Sequence, residues 1–189
     1  MPIEIIADDQ DFTHERLREG QVLGCVTTLK APLRGCSVTP LGFMKYVAVA
    51  TPEVKQEKLS GNALGKHNFR AVPFIAFNLK DDMAGEFFSK AFGLKSALLD
   101  KVYVPSPEGQ VRALRAGWVA AVLPQLLVHA DMDAGTLVNV CRAHVLPIGL
   151  YWHFWNLQSE VLDSLSNALT TAALRDLSGS GALVKIPKP

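Results

Sequence analysis

The strongest constraint on the fold is an alternation, kept up almost from end to end, of short apolar runs with segments of helical periodicity. Ile3–Ala7, Leu23–Thr28, Val38–Gly42, Met44–Ala50, Phe74–Phe77, Leu99–Val104, Trp118–Leu123, Thr136–Cys141 and Ile148–Phe154 read as strands. Helices are predicted between them. Phe12–Glu19 follows the polar run Asp8-Asp9-Gln10-Asp11 and stops at Gly20, and Thr51-Pro52 opens a short polar helix. From Asp81 to Phe92, Met83, Phe87, Phe88, Ala91 and Phe92 form one apolar stripe, with Gly93 as the stop. Ser106-Pro107 pairs an N-cap with a proline in the first turn and opens a helix ending at Gly117. Pro124 starts another towards Ala130, and Ser159–Leu177 is the longest, with Val161, Leu162, Leu165, Leu169, Ala172 and Ala173 on one side. Residues 59–72 read as a polar loop, and the tail from Ser178 as a frayed end. Strands apolar on both faces and joined by crossover helices predict an α/β protein with mostly parallel sheets.

Composition narrows the function. With 49% apolar residues among 189 the chain can bury a sizeable core, so general disorder is excluded. Lys plus Arg is 19 and Asp plus Glu 18, a net charge of +1, which lacks the electrostatic footprint of a nucleic-acid-binding domain. No apolar run approaches the ~18 residues of a membrane span. The start, Met1-Pro2-Ile3-Glu4, has neither the basic nor the apolar region of a signal peptide, so a cytoplasmic location is expected. An odd set of free-standing cysteines, Cys25, Cys36 and Cys141, agrees with that, and Cys25 reads as a small core residue.

Motifs for chemistry are weak. Gly61–His67 has one residue too few between its glycines for a phosphate loop and lacks the Ser or Thr after Lys66. Asp131-Met132-Asp133 begins like a calcium loop, but Arg142 stands where the bidentate Glu is required. There is no G-x-S-x-G elbow, and the five histidines are scattered singly. His153, among the aromatics Tyr151–Trp155, reads as packing or edge decoration. No catalytic residue, metal or cofactor is therefore expected. What remains is the polar residues after strands: Asp8 and Asp9, Thr27 and Thr28, Asn78, Asp81 and Asp82, and Ser106. In a parallel α/β sheet such residues gather at the carboxyl edge, where small ligands bind. Each also has a purely local use, as a helix cap or a charge opposing the helix dipole.

The order of segments resembles the effector-binding domain of LysR-type transcriptional regulators, from Ile3 to about Leu174. Leu17-Arg18-Glu19-Gly20 to Gly24-Cys25-Val26 is similar to that domain's helix, glycine, strand opening. Leu41-Gly42, Tyr46–Ala50 and Pro52 look like its passage into the second lobe. Val104-Pro105-Ser106 to Gly117–Pro124 is similar to its strand, helix, glycine, strand, proline pattern. Gly135–Val138 looks like its small-residue turn, and Leu150–His153 followed by Ser159 like its return to the first lobe. Glu15–Gly20, Gly24–Thr27, Phe77–Met83 and Tyr151–His153 are similar to the ArgP/LysG branch, which responds to arginine or lysine. The sequence departs from the family pattern at Trp118, where many relatives carry a small or aliphatic residue.

The resemblance implies a two-lobed fold of the type 2 periplasmic-binding-protein kind, with residues 1–51 and 148–189 as first lobe and 52–147 as second. Pro52 and Pro147 are placed to mark the crossings, and the split predicts separate sheets for Val22–Val26 and Trp118–Leu123. It also implies incompleteness at the N-terminus. The family's helix-turn-helix, linker helix, and first strand and helix have no counterpart before Ile3, which matches the second strand. DNA would then be reached only through that missing part. A basic amino acid, lysine or arginine, is the implied effector, bound between the lobes. Asp8, Asp9, Asp81 and Asp82 would face its cation, and Thr27, Thr28, Asn78 and the helix start at Ser106 its carboxylate. The implied assembly is a homodimer through the first lobes, with Ile3–Ala7 near that surface. Two other classes remain open at this point: a stand-alone amino-acid-binding protein of the same fold, and a small enzyme such as a dehydratase.

Overall fold

The computed structural model of the chain describes residues 3–7, 13–95 and 97–177. The expected lead Asp8–Asp11, the candidates Asp8 and Asp9 among it, and the tail from Ser178 lie outside the described residues. The chain divides into two compact units, one built from residues up to Met44 and from Pro147 onward, the other from Lys45–Leu146. These breaks differ from the expected 51/52 and 147/148. Pro52 opens a helix capped by the Thr51 hydroxyl, and Ala48, Val49 and Ala50 are buried, so the residues before Pro52 belong to the second unit's core.

In the first unit, α1 (Thr13–Arg18) leads into β1 (Gly24–Thr27). The other strands there are the first part of β2 (Cys36–Ala50) and nearly all of β7 (Leu146–Trp155), and α6 (Glu160–Asp176) follows. β7 lies between β1 and β2, and β1 pairs with it antiparallel, with Cys25 opposite His153 and Thr27 opposite Tyr151. Trp152 ties β7 to α6 by donating its indole N–H to the Ser166 hydroxyl at 2.8 Å. Its ring fills the space over Gly24, where a Cβ would lie 2.2 Å from it. Cys25 is buried as expected of a core residue, and burial pushes its thiol up to about 11.

In the second unit, α2 (Pro52–Leu59) follows β2 directly, and β3 (Phe74–Ala76) feeds α3 (Met83–Phe92). Next come β4 (Lys101–Tyr103), α4 (Pro107–Arg115), β5 (Ala121–Pro124), α5 (Gln125–Asp133) and β6 (Val138–Asn139). β5 pairs antiparallel with Tyr46–Val49 of β2, and β6 pairs antiparallel with Val49 and Ala50. β3 and β4 pair in parallel, and Phe74 bridges in parallel to Ala120. The apolar centre joins Val47 and Val49 of β2 to Leu114 of α4, Val128 of α5 and Leu137. A second group of rings surrounds Phe88, which meets Phe69, Phe74, Phe87 and Phe92 at 5.0–5.7 Å between centroids.

Several expectations need correction. The pairings of β1, β5 and β6 are antiparallel, not parallel. Gly24-Cys25-Val26-Thr27 looks apolar on both faces, yet only Cys25 and Thr27 are buried, the alternation of a strand with one covered face. Val38–Gly42 and Met44–Ala50 are not two strands but one of 15 residues. Gly42 takes φ +128°, which a glycine adopts without strain, so the strand passes through it instead of ending. Because β2 is continuous, the sheet order β1-β7-β2-β5 links two strands expected in separate sheets. Ile3–Ala7 belongs to no strand, and Ile3, Ile5 and Ile6 are exposed. Among the described residues nothing pairs with that run, and an unpaired apolar segment has no reason to hold strand geometry.

Asp131, weighed above as a calcium ligand, is buried and used otherwise. Its two oxygens accept from Arg115 Nε at 2.8 Å and Nη2 at 2.9 Å, and Thr136 Oγ1 donates to it at 3.1 Å. The Arg115 hydrogen bonds hold its carboxyl below the ordinary range. A carboxyl depressed by folding stabilises the fold above its unfolded value of about 3.9, and that contribution fades as pH falls towards the folded value. Asp131→Asn should therefore lower Tm at neutral pH and flatten the Tm profile below about pH 4, a comparison made by thermal melts across pH. In the ring cluster, Phe88→Ala should cost about 3–5 kcal/mol, measured by denaturant unfolding; a loss within error would mean that the rings close over the gap.

Candidate functional site

Four sequence-selected residues come together at one edge of the second unit. β3 and β4 run parallel with Ala76 opposite Tyr103, so both leave the sheet at the same end. Asn78, Asp81 and Asp82 lie just beyond β3, and Ser106 just beyond β4. Thr27, by contrast, ends β1 in the first unit, and Thr28 follows it.

Asp81 is committed to the backbone. Its Oδ2 accepts from the Phe77 N–H at 2.7 Å and its Oδ1 from the Met83 N–H at 2.9 Å. Asn78 Oδ1 accepts from the N–H groups of Lys80 at 2.8 Å and Asp81 at 3.1 Å. These bonds shape the passage from β3 into α3. Its closeness is shown by Gly85, where a Cβ would stand 2.4 Å from Asp82 Oδ1. Asp82 is the open member, with its side chain 71% exposed. Sequence reasoning missed Lys101, the first residue of β4. Its ammonium donates at 2.8 Å both to the Asp81 carbonyl and to Asp82 Oδ1, while its side chain is only 16% exposed. A single lysine at a strand start gives no signal in sequence, because its partners stand about 20 residues earlier.

Ser106 caps α4 in the predicted way, accepting from the Gly109 N–H at 3.1 Å, and its hydroxyl donates to Glu108 at 3.0 Å. The backbone amide of Glu108 itself and then the Ser106 hydroxyl hold that carboxyl below the ordinary range. Gln110, buried behind the cap, donates to the Val104 carbonyl at 3.2 Å. The edge thus exposes the carboxylates of Asp82 and Glu108 on a frame already tied to its own backbone. In the first unit, Thr27 is fully buried and its hydroxyl accepts from the Leu29 N–H at 3.4 Å, while Thr28 is half-buried. Among the described residues no group of His, Cys, Asp or Glu is placed to hold a metal ion, and no helix is long and apolar enough to cross a membrane.

These elements, in this order, are those of a LysR-type regulatory domain, and comparison with known proteins places the chain. Over 92% of its length it superposes on the C-terminal domains of a LysR family protein from Agrobacterium tumefaciens, at 33% identity and TM-score 0.83, and covers 83% of that structure. The chain belongs to the LysR family. Among individual members it is similar to the HTH-type transcriptional regulator ArgP of Photobacterium profundum, 33% identical over 175 residues. That match takes in 93% of this chain but spans only 58% of the regulator's length. It is also similar to full-length LysG from Corynebacterium glutamicum solved with bound effector arginine: 30% identity, TM-score 0.79, 91% of this chain and 58% of that one. No family model matches the chain. The shared fold is that of the LysR regulatory domains, a mixed α/β fold of periplasmic-binding-protein type.

The doubly engaged carboxylate makes a clear prediction. Asp81→Ala leaves the N–H groups of Phe77 and Met83 without acceptors and should cost about 1–3 kcal/mol. Denaturant unfolding measures the loss, and amide exchange at those two residues should quicken before that of the β2–β5 ladder.

Proposed function

We propose that this chain is the effector-binding part of a LysR-type transcriptional regulator and that its effector is a basic amino acid, arginine or lysine. The observation that carries the reading is the similarity, over nine-tenths of the chain, to a LysG solved with arginine bound. The chemistry of the edge beyond β3 and β4 supports it. A guanidinium or ammonium needs an acceptor that carries charge, and Asp82 presents one to solvent. Asp81 serves by fixing the turn that carries Asp82, not by meeting the cation itself. The α-carboxylate needs donors, for which the Asn78 amide and the backbone at the start of α4 are the candidates. The two units are read as the first and second lobes. DNA contact is assigned to the part of the relatives' length that this chain does not span, and pairing with a second copy to the first unit.

Calorimetry with arginine, lysine and the neutral analogue norleucine tests the proposal. Heat is expected with one or both basic ligands and none with norleucine, and Asp82→Asn should weaken the basic ligands about tenfold or more, as loss of a charge-assisted bond does. Equal responses to all three, or affinity untouched by Asp82→Asn, would remove the basic-amino-acid reading. Asp81→Asn is the poorer probe, because it disturbs the turn before it disturbs any ligand.

A further inference from the structure

Asp82 already has a cation. The Lys101 ammonium donates to its Oδ1 and to the Asp81 carbonyl, both at 2.8 Å. The two partners are unequal, for the Asp82 side chain is exposed and that of Lys101 largely covered. An ion pair between two exposed side chains opens and closes freely and is worth little. Here the lysine is tied a second time, to a main-chain carbonyl in the turn that Asp81 and Asn78 close. The carboxylate is confined from the other side. It lies over Gly85, where a Cβ would stand 2.4 Å from Oδ1 and 2.7 Å from Oδ2. Asp82 is also the N-cap of α3, yet its side chain makes no capping bond. A carboxylate in that place ordinarily accepts from an N–H of the first turn. This one faces Lys101 instead.

The lysine leaves the carboxylate half used. Oδ1 is taken, and Oδ2 accepts from no described residue. A planar guanidinium gains most over an ammonium by bonding both oxygens of one carboxylate, whereas an ammonium is a compact point charge that one oxygen satisfies. With Oδ1 occupied, arginine loses the advantage of its fork. Any cation that reaches Oδ2 also meets the repulsion of a second positive charge beside it.

We propose that Lys101 is a specificity-determining residue: by holding Asp82 Oδ1 it leaves the effector's cation a single oxygen, which lowers affinity for basic amino acids and narrows any preference for arginine over lysine. This rests on the basic-amino-acid reading above.

Two variants remove the charge. Lys101→Met keeps most of the stem, and Lys101→Gln retains an amide that can donate to the Asp81 carbonyl. Lys90, paired with Glu86 on α3, serves as the control for net charge. Calorimetry on the whole chain with arginine, lysine and norleucine reads the effect, and thermal melts show that each variant is folded. Arginine affinity should rise about tenfold and lysine affinity about threefold in both Lys101 variants, with norleucine silent. In Lys90→Met both affinities should stay within about twofold of wild type. Affinity unchanged or lowered in the Lys101 variants overturns the proposal. So does an equal gain for the two ligands, which is relief of repulsion alone, or the same gain in Lys90→Met, which is an effect of net charge. Failure of both Lys101 variants to fold assigns the lysine to the fold and overturns it as well. If arginine and lysine bind wild type and variants no better than norleucine does, the basic-amino-acid reading falls and takes the proposal with it. If wild type binds them and the Lys101 variants gain nothing, the proposal falls alone.

Discussion

The backbone of β2 is the constraint on which the rest of the molecule depends. Strand β2 (Cys36–Ala50) has β7 as a neighbour on one edge and, along Tyr46–Val49, β5 on the other, and Val49 alone pairs with Ala121 on one side and Asn139 on the other. A strand so used has few main-chain groups to spare, since each buried N–H and C=O must find a partner. Its last five residues, Tyr46–Ala50, are also all buried, so the same stretch that satisfies the ladder supplies the second unit's core. Helix α2 begins at once, with Thr51 turning its hydroxyl to the Val54 N–H at 3.3 Å. Ladder, core and helix start are thus set within a few consecutive positions.

The helices were legible because their signals are local. Ser106-Pro107, Thr51-Pro52, Ser159 and Gly93 each act within a turn of the chain, and each ends or begins its helix where the sequence places it. Strands depend on partners far along the chain, which is why β2 looked divided at Gly42 and why Ile3–Ala7 looked like a strand at all. The expectation of mostly parallel sheets, met at β3–β4 and not at β1, β5 or β6, fails there for the same reason. Composition shows that Gly24–Thr27 is apolar, but only the pairing with β7 decides which two of its residues face inward.

The site was legible in kind more than in role. Asn78, Asp81, Asp82 and Ser106 do share an edge, because β3 and β4 are parallel and in register. Sequence gave no way to rank them. Asp81 and Asp82 are adjacent and chemically identical, yet one accepts two backbone N–H groups and the other faces solvent beside Lys101. Lys101 gave no signal, and His153 read only as packing or edge decoration, for a common reason. Their partners, Asp82 and Leu29, lie about 20 and 124 residues away, and nothing in the residues around them announces the pairing.

The doubly accepting carboxylate of Asp81 bears on the thermodynamics of any ligand met at this edge. The segment from Phe77 to Met83 is closed upon itself by Asp81 and Asn78. A loop that stiffens only on association gives up about 0.5–1.5 kcal/mol of conformational freedom for each side chain immobilised, and that loss is subtracted from affinity. Here the freedom is surrendered when the protein folds. A ligand meeting Asp82 would find a preorganised surface, and what it would have to overcome is the Lys101 ammonium and the water at that carboxylate, not the entropy of the chain beneath it.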